Sequence, residues 1–178
     1  LIATAGLSML TPTLSPYVRD LYRFDDFDAG LAFLVFGVVS VIVQGGLIRP
    51  VVKAWGNRRV FIIGTVILAS GFALLAANPP LTGFWPAVVL IGLGAGLFSP
   101  ALASLFSLGV GHREQGAAHG LNQGATSLAR TLAYPIGGGL YGLGAAWPYA
   151  AGAMLLMLGL LPLFGGRTKA VTTAHPPR

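Results

Sequence analysis

A helix over residues 115–143 would bring Gln115, His119, Asn122, Gln123, Thr126, Arg130 and Tyr134 onto one face, within about 120° of arc. These side chains supply amide and hydroxyl hydrogen bonds and one permanent cation. That set can contact a substrate or hydrogen-bond to neighbouring helices. It cannot make or break bonds, because a nucleophile needs a base and an orienting group within reach. The histidines are dispersed at His112, His119 and His175, every acid lies outside the apolar runs, and cysteine is absent. The sequence therefore offers no catalytic residues, no metal site and no cofactor site, and an enzyme of the membrane is disfavoured.

Arg130 stands about four turns into its apolar run. A cation at such a depth in a bilayer costs roughly 2.5–3.5 kcal/mol on insertion scales, so it needs a partner or a wet cavity. No Asp or Glu lies inside an apolar run, so a carboxylate partner must come from elsewhere. Two readings of the stripe stand: contact with a substrate, or hydrogen bonding to neighbouring helices with Arg130 on backbone carbonyls. Beside it runs a glycine row, Gly116, Gly120 and Gly124, spaced for close helix contact. The opposite face is apolar, with Leu121, Ala125, Leu128, Ala129, Leu132 and Ala133.

Two other runs carry a weaker polar signal. Gly92, Gly96, Pro100 and Ser104 recur every four residues, near Gly94 and Ser99. Small residues allow tight packing, and Pro100 frees a carbonyl that could bend the helix as a hinge. Phe33, Gly37, Ser40 and Gln44 share a face, and Gln44 in lipid would be expensive, so that face is expected to meet protein.

The elements that position these residues follow from composition. Of 178 residues, 54% are hydrophobic and only 9% are charged, against about a quarter charged in soluble domains. The bilayer is the solvent that suits this chain. Its 26 glycines fit helix packing in lipid. Six apolar spans are expected: about Leu1 to Val18, broken by Pro12 and Pro16, then Ala29 to Ile48, Val60 to Ala77, Phe84 to Leu108, Gln115 to Leu143, and Pro148 to Phe164. The fold class is all-α and polytopic, with residues 1–166 as one transmembrane unit and 167–178 as a tail. The third and sixth spans are apolar nearly all round and read as lipid-facing, which fits two three-helix repeats. Asp28 is the expected N-cap of the second span, and Asn78, Pro79 and Pro80 end the third.

Charge sets the orientation. The loop after the first span carries Arg19, Asp20, Arg23, Asp25, Asp26 and Asp28. The next carries Arg49, Lys53, Arg58 and Arg59 without an acid. Alternate segments hold eight Lys/Arg against two, so the basic set faces the cytoplasm, together with both ends of the chain. Trp85 and Trp147 fall at the outer interface. The net charge of +6 is thus a topology signal. Lacking aromatic interleaving, it does not point to nucleic acid.

The stretch Gln44-Gly45-Gly46-Leu47-Ile48-Arg49-Pro50, followed by Gly56-Asn57-Arg58-Arg59, resembles the loop between helices eight and nine of the major facilitator superfamily. Gly46, Arg49, Gly56, Arg58 and Arg59 carry that cytoplasmic loop motif, without the acid that usually follows its first glycine. Glu114-Gln115-Gly116, Gly120-Leu121-Asn122-Gln123, Ser127-Leu128-Ala129-Arg130 and Pro135-Ile136-Gly137-Gly138 are similar to helix eleven of the drug:proton antiporter branch, which includes the tetracycline exporters. Ala133 and Tyr134 stand where relatives usually have glycine. The resemblance implies the C-terminal half, helices seven to twelve, of a twelve-helix transporter in the cell inner or plasma membrane. The first and fourth spans would line a cavity, and the second and fifth would face the other half. The implied partners are the lipid bilayer, an N-terminal six-helix half, a small-molecule substrate and protons.

The function so implied is secondary active transport: proton-coupled efflux of drug-like or amphipathic compounds, with the proton-carrying carboxylate in the other half. Sugar or metabolite uptake by the same fold is the alternative, and a truncated, non-transporting half-protein is a third reading. The residues expected at the cavity or the half–half interface are Asn122, Gln123, Thr126, Arg130, Tyr134, Gln44, Ser40, Ser99 and Pro100.

Overall fold

The computed structural model describes residues 2–108 and 115–161. The expected tail at 167–178, the charges Arg113 and Glu114, and His112 and His175 lie outside the described residues. Among these residues the chain is all-helical: α1 Ile2–Ser8, α2 Leu10–Tyr22, α3 Asp26–Ile42, a π turn Val43–Leu47, α4 Ile48–Trp55, α5 Asn57–Ala76, α6 Leu81–Leu108, α7 Gln115–Leu143 and α8 Trp147–Leu158. Three stretches are long and apolar enough to cross a membrane on their own: Asp26–Trp55, Asn57–Ala76 and Leu81–Leu105. This is an all-α, polytopic membrane fold.

Local chemistry sets the helix ends, not always as the sequence suggests. Asp25, not Asp28, caps α3. The Asp28 backbone N–H donates to the Asp25 carboxylate at 2.9 Å, and the Asp25 N–H donates back to Asp28 at 3.4 Å. The two aspartates form a reciprocal capping box, and the helix starts a turn earlier than expected. Pro12 does not break the first span. It falls in the opening turn of α2, where a missing N–H costs nothing, and the break between helices is at Met9. Nor does the second span stop at Ile48: the helical rod continues through the π turn and α4 to Trp55. The sharp turn comes at Gly56, whose φ of 77° suits a residue without Cβ. Asn78, at φ 47°, lies just beyond α5, as the sequence indicates.

The centre of the bundle is α6, held between α3 and α5. A Cβ on Gly92 would lie 2.9 Å from Val39 Cβ, and one on Gly96 would lie 2.8 Å from Val43 Cβ. Gly94 faces the other way, with the Leu68 backbone of α5 against it. Removing side chains here lets three helix backbones approach, which is how helices without a hydrophobic drive between them gain dispersion energy in lipid. The tight-packing reading of the small-residue row thus describes Gly92 and Gly96.

The third span is not lipid-facing all round. Val60, Phe61, Leu68, Phe72 and Leu75 of α5 are buried, and only a strip through Val66 and Ser70 is exposed. Lipid and protein interior are equally apolar, so an all-apolar helix does not reveal its neighbour. The sixth span is likewise two-sided, with Tyr149, Gly152 and Leu156 turned inward and Met154 and Met157 exposed. An aromatic cluster joins the rods: the Tyr17 and Tyr149 rings meet edge-on at 4.8 Å, and the Tyr17 hydroxyl donates to the Leu75 carbonyl at 2.8 Å.

Candidate functional site

A cavity of about 460 Å³ opens between α1, α2, α3, α6 and α7, within the usual range for small-molecule sites. One wall is α7, which contributes Asn122, Thr126, Arg130 and Tyr134. Their spacing of four places them one turn apart along the wall. What holds that wall is the adjacent face: Ala129 and Ala133 are buried, and Gly137 lies against Met9. The small residues let α7 lie close to the first helices, while the long polar side chains reach into the opening.

The facing wall comes from the start of the chain. Thr4, Ser8 and Thr11 line it, and the Ser8 hydroxyl donates to the Thr4 carbonyl at 2.7 Å. Ser99 on α6 adds a hydroxyl, and Phe33, Phe36 and Phe98 supply flat apolar surface. The cavity therefore combines neutral hydrogen-bonding groups, aromatic faces and one guanidinium. Among the described residues Arg130 makes no ion pair, whereas Arg19 pairs with Asp26 at a helix end. Such a site suits an amphipathic molecule carrying acceptor groups or negative charge.

The sequence-derived site residues separate into groups. Asn122, Thr126, Arg130, Tyr134 and Ser99 come together in the cavity. Gln123 is exposed on α7 and does not line it. Ser40 and Gln44, expected on one protein-facing surface, divide. Ser40 is buried and donates to the Gly92 carbonyl at 3.0 Å, whereas Gln44 is exposed in the π turn. Val43, buried against Gly96, takes the next place on the line that touches α6, and Gln44, one residue on, is left outside it. Pro100 lines a separate cleft with Arg49 and Lys53. Within the loop motif, Gly46 is in the π turn, Arg49 is in α4, and Arg58 and Arg59 open α5. Gly56 alone of the five is non-helical.

Thr4, Ser8 and Thr11 escaped the reading of the sequence although their i, i+4, i+7 spacing was available. Phe36 and Phe98 gave no signal, because an aromatic at helical spacing is ordinarily core.

Fold and cavity define a multi-pass membrane protein with a polar site at mid-bundle. The chain belongs to the major facilitator superfamily, whose family model matches residues 1–178. It is 27% identical over 114 residues to the tetracycline resistance protein, class E, of Escherichia coli, covering 64% of this chain and 28% of that protein. It is 25% identical over 158 residues to multidrug resistance protein 2 of Bacillus subtilis (strain 168), covering 87% of this chain and 38% of that protein. The chain thus spans well under half the length of these relatives.

Proposed function

We propose that this chain is the C-terminal six-helix half of a secondary active transporter that exports small amphipathic molecules in exchange for protons. The observation that carries the proposal is the cavity whose α7 wall holds Asn122, Thr126, Arg130 and Tyr134. A cation facing an opening of that size within an apolar bundle is expensive in lipid unless it meets water or a ligand. The names of the two relatives, tetracycline resistance and multidrug resistance, support export of drug-like compounds.

In this reading Arg130 attracts acceptor or anionic groups of the cargo. Asn122, Thr126 and Ser99 satisfy its polar edges, and Phe33, Phe36 and Phe98 take its apolar faces. The proton carrier is a carboxylate of the partnering half, since Asp20, Asp25, Asp26 and Asp28 of this chain stand at helix ends and none lies in the middle of a span. The basic segments, including Arg49, Lys53, Arg58 and Arg59, face the cytoplasm of an inner or plasma membrane, as do both ends of the chain. Alternating access follows from rocking of the two six-helix halves about the site, each built from two three-helix repeats.

The test uses the full-length protein in proteoliposomes with an imposed pH gradient. Proton-driven accumulation of a tetracycline or a fluorescent amphipathic dye is the expected result. It should fall at least about ten-fold in Arg130→Ala, the cost of losing a charge-assisted hydrogen bond. Movement of a sugar but of neither amphipathic probe would overturn the efflux reading.

A further inference from the structure

We propose that the cleft between α4 and the C-terminal part of α6 binds the phosphate headgroup of an anionic phospholipid. This inference is independent of the cargo and requires only that the bundle spans a membrane.

Length gives the depth. The rod from Asp26 to Trp55 has 30 residues, or about 45 Å at 1.5 Å per residue. The hydrocarbon layer is about 30 Å thick. Asp25, Asp26 and Asp28 fix one end of the rod in water, so the other end, π turn and α4 together, reaches headgroup depth. No residue of α4 is buried. Ile48, Val51 and Val52 pack partly on the core, while Arg49, Lys53 and Trp55 are exposed. An exposed Trp at this level is the usual interfacial anchor.

The cleft behind α4 has a volume of about 370 Å³. Its floor is apolar, made by Ile48, Val52 and Pro100. Its rim is polar, made by Arg49, Lys53, Asn57 and Ser104. The Asn57 amide donates to the Ser104 hydroxyl at 2.6 Å, tying the first turn of α5 to α6 beneath the cations. Arg49 and Lys53 are one turn apart, a like-charge pair that repels unless an anion sits between them. Among the described residues neither is ion-paired, and Asp20, Asp25, Asp26 and Asp28 are all at the opposite end of the rods. A free anion would use the cations and leave the floor wet. A lipid uses both, placing phosphate on the rim and glycerol and upper acyl carbons on the floor. Basic pockets between spans on the cytoplasmic side attract such lipids.

The experiment uses the full-length protein with Trp55 as its one tryptophan, reconstituted in phosphatidylcholine vesicles containing phosphatidylglycerol. Either lipid carries bromine high on its acyl chain, at equal mole fraction. Brominated phosphatidylglycerol should be enriched at Trp55 by roughly five-fold or more over brominated phosphatidylcholine, the factor one surface cation is worth. Arg49→Gln with Lys53→Gln should abolish the excess quenching, and Arg49→Lys with Lys53→Arg should keep it. Equal quenching by the two lipids in the unaltered protein would overturn the proposal. So would loss of the excess on adding inorganic phosphate at matched ionic strength, which would assign the cleft to free phosphate. If the Gln variant does not insert, native mass spectrometry of the unaltered protein decides: retained phosphatidylglycerol supports the site, and no preference over phosphatidylcholine refutes it.

Discussion

Two helices of nearly equal length, α6 with 28 residues and α7 with 29, both carry glycines four residues apart, and the bundle treats them in opposite ways. On α6 every glycine of the run 92–96 lies against a neighbouring helix. On α7 a Cβ added at Gly116, Gly120 or Gly124 would meet nothing within 4 Å. The same α7 exposes Leu121 at 75% and Leu128 at 53%, and α3 exposes Leu34 at 59%. Glycine spacing reports that a helix is made for close contact, but not which helix makes it. Lipid gives a glycine row nothing that alanine or leucine would not improve. The closed row of α6 therefore belongs to this bundle's own core, and the open row of α7 fits a surface for the second half of the proposed transporter.

Substitutions on the two rows break or sharpen this contrast. Gly94→Leu should be the most damaging, since its Cβ would fall on the Leu68 backbone. Overpacking of this kind costs about 3 kcal/mol or more, and folded yield and melting temperature of the full-length protein in detergent should collapse. Normal melting of that variant would show that α6 is not tightly held. Arg130→Ala comes next, with transport reduced about ten- to hundred-fold while the melting temperature stays near that of the parent. Arg130→Lys should recover part of the activity, because charge is retained but the planar fork is lost.

Gly120→Leu with Gly124→Leu should leave these eight helices in place yet reduce transport about ten-fold, a loss of roughly 1.4 kcal/mol in docking or rocking. Unchanged transport would remove the open row from the half–half interface. The smallest contrast lies within the second span. Ser40→Ala loses its hydrogen bond to the Gly92 carbonyl and should destabilise by about 1 kcal/mol, whereas Gln44→Ala, out in the π turn, should be close to neutral in chemical denaturation of the same protein.

Much of the architecture could be read from hydropathy because the bilayer imposes a length on each span. The fifth span is the clearest case: the spacing of its polar stripe alone puts Asn122, Thr126, Arg130 and Tyr134 on one wall, although it also includes Gln123, which does not line the cavity. The opposing wall was harder. Thr4 and Ser8 are small hydroxyls that satisfy local carbonyls, so they left no mark on composition, although their spacing was regular. Which apolar helices are inside, as α5 largely is, cannot be read where lipid and protein offer the same contacts. Gln44 parts from Ser40 for a different reason: periodicity arguments assume an unbroken α-helix, and here a π turn begins at Val43.

That change of period has a consequence for how this rod tolerates alteration. The Ile48 N–H donates to the Val43 carbonyl, five residues back. Val43 lies against Gly96, and Ile48 and Val52 lie beside Pro100 and Ser104. These three residues all stay on the α6 side of the rod although their spacing is five and then four. The π turn acts as a phase correction, storing one surplus residue that would otherwise rotate everything beyond it by about 100°. Deleting Gly45 or Gly46 should therefore leave Arg49 and Lys53 pointing where they do now, while deleting a residue a turn earlier, within α3, should misalign Ser40 with its carbonyl. A rod built in this way can lose one residue at a single defined place and keep both of its faces.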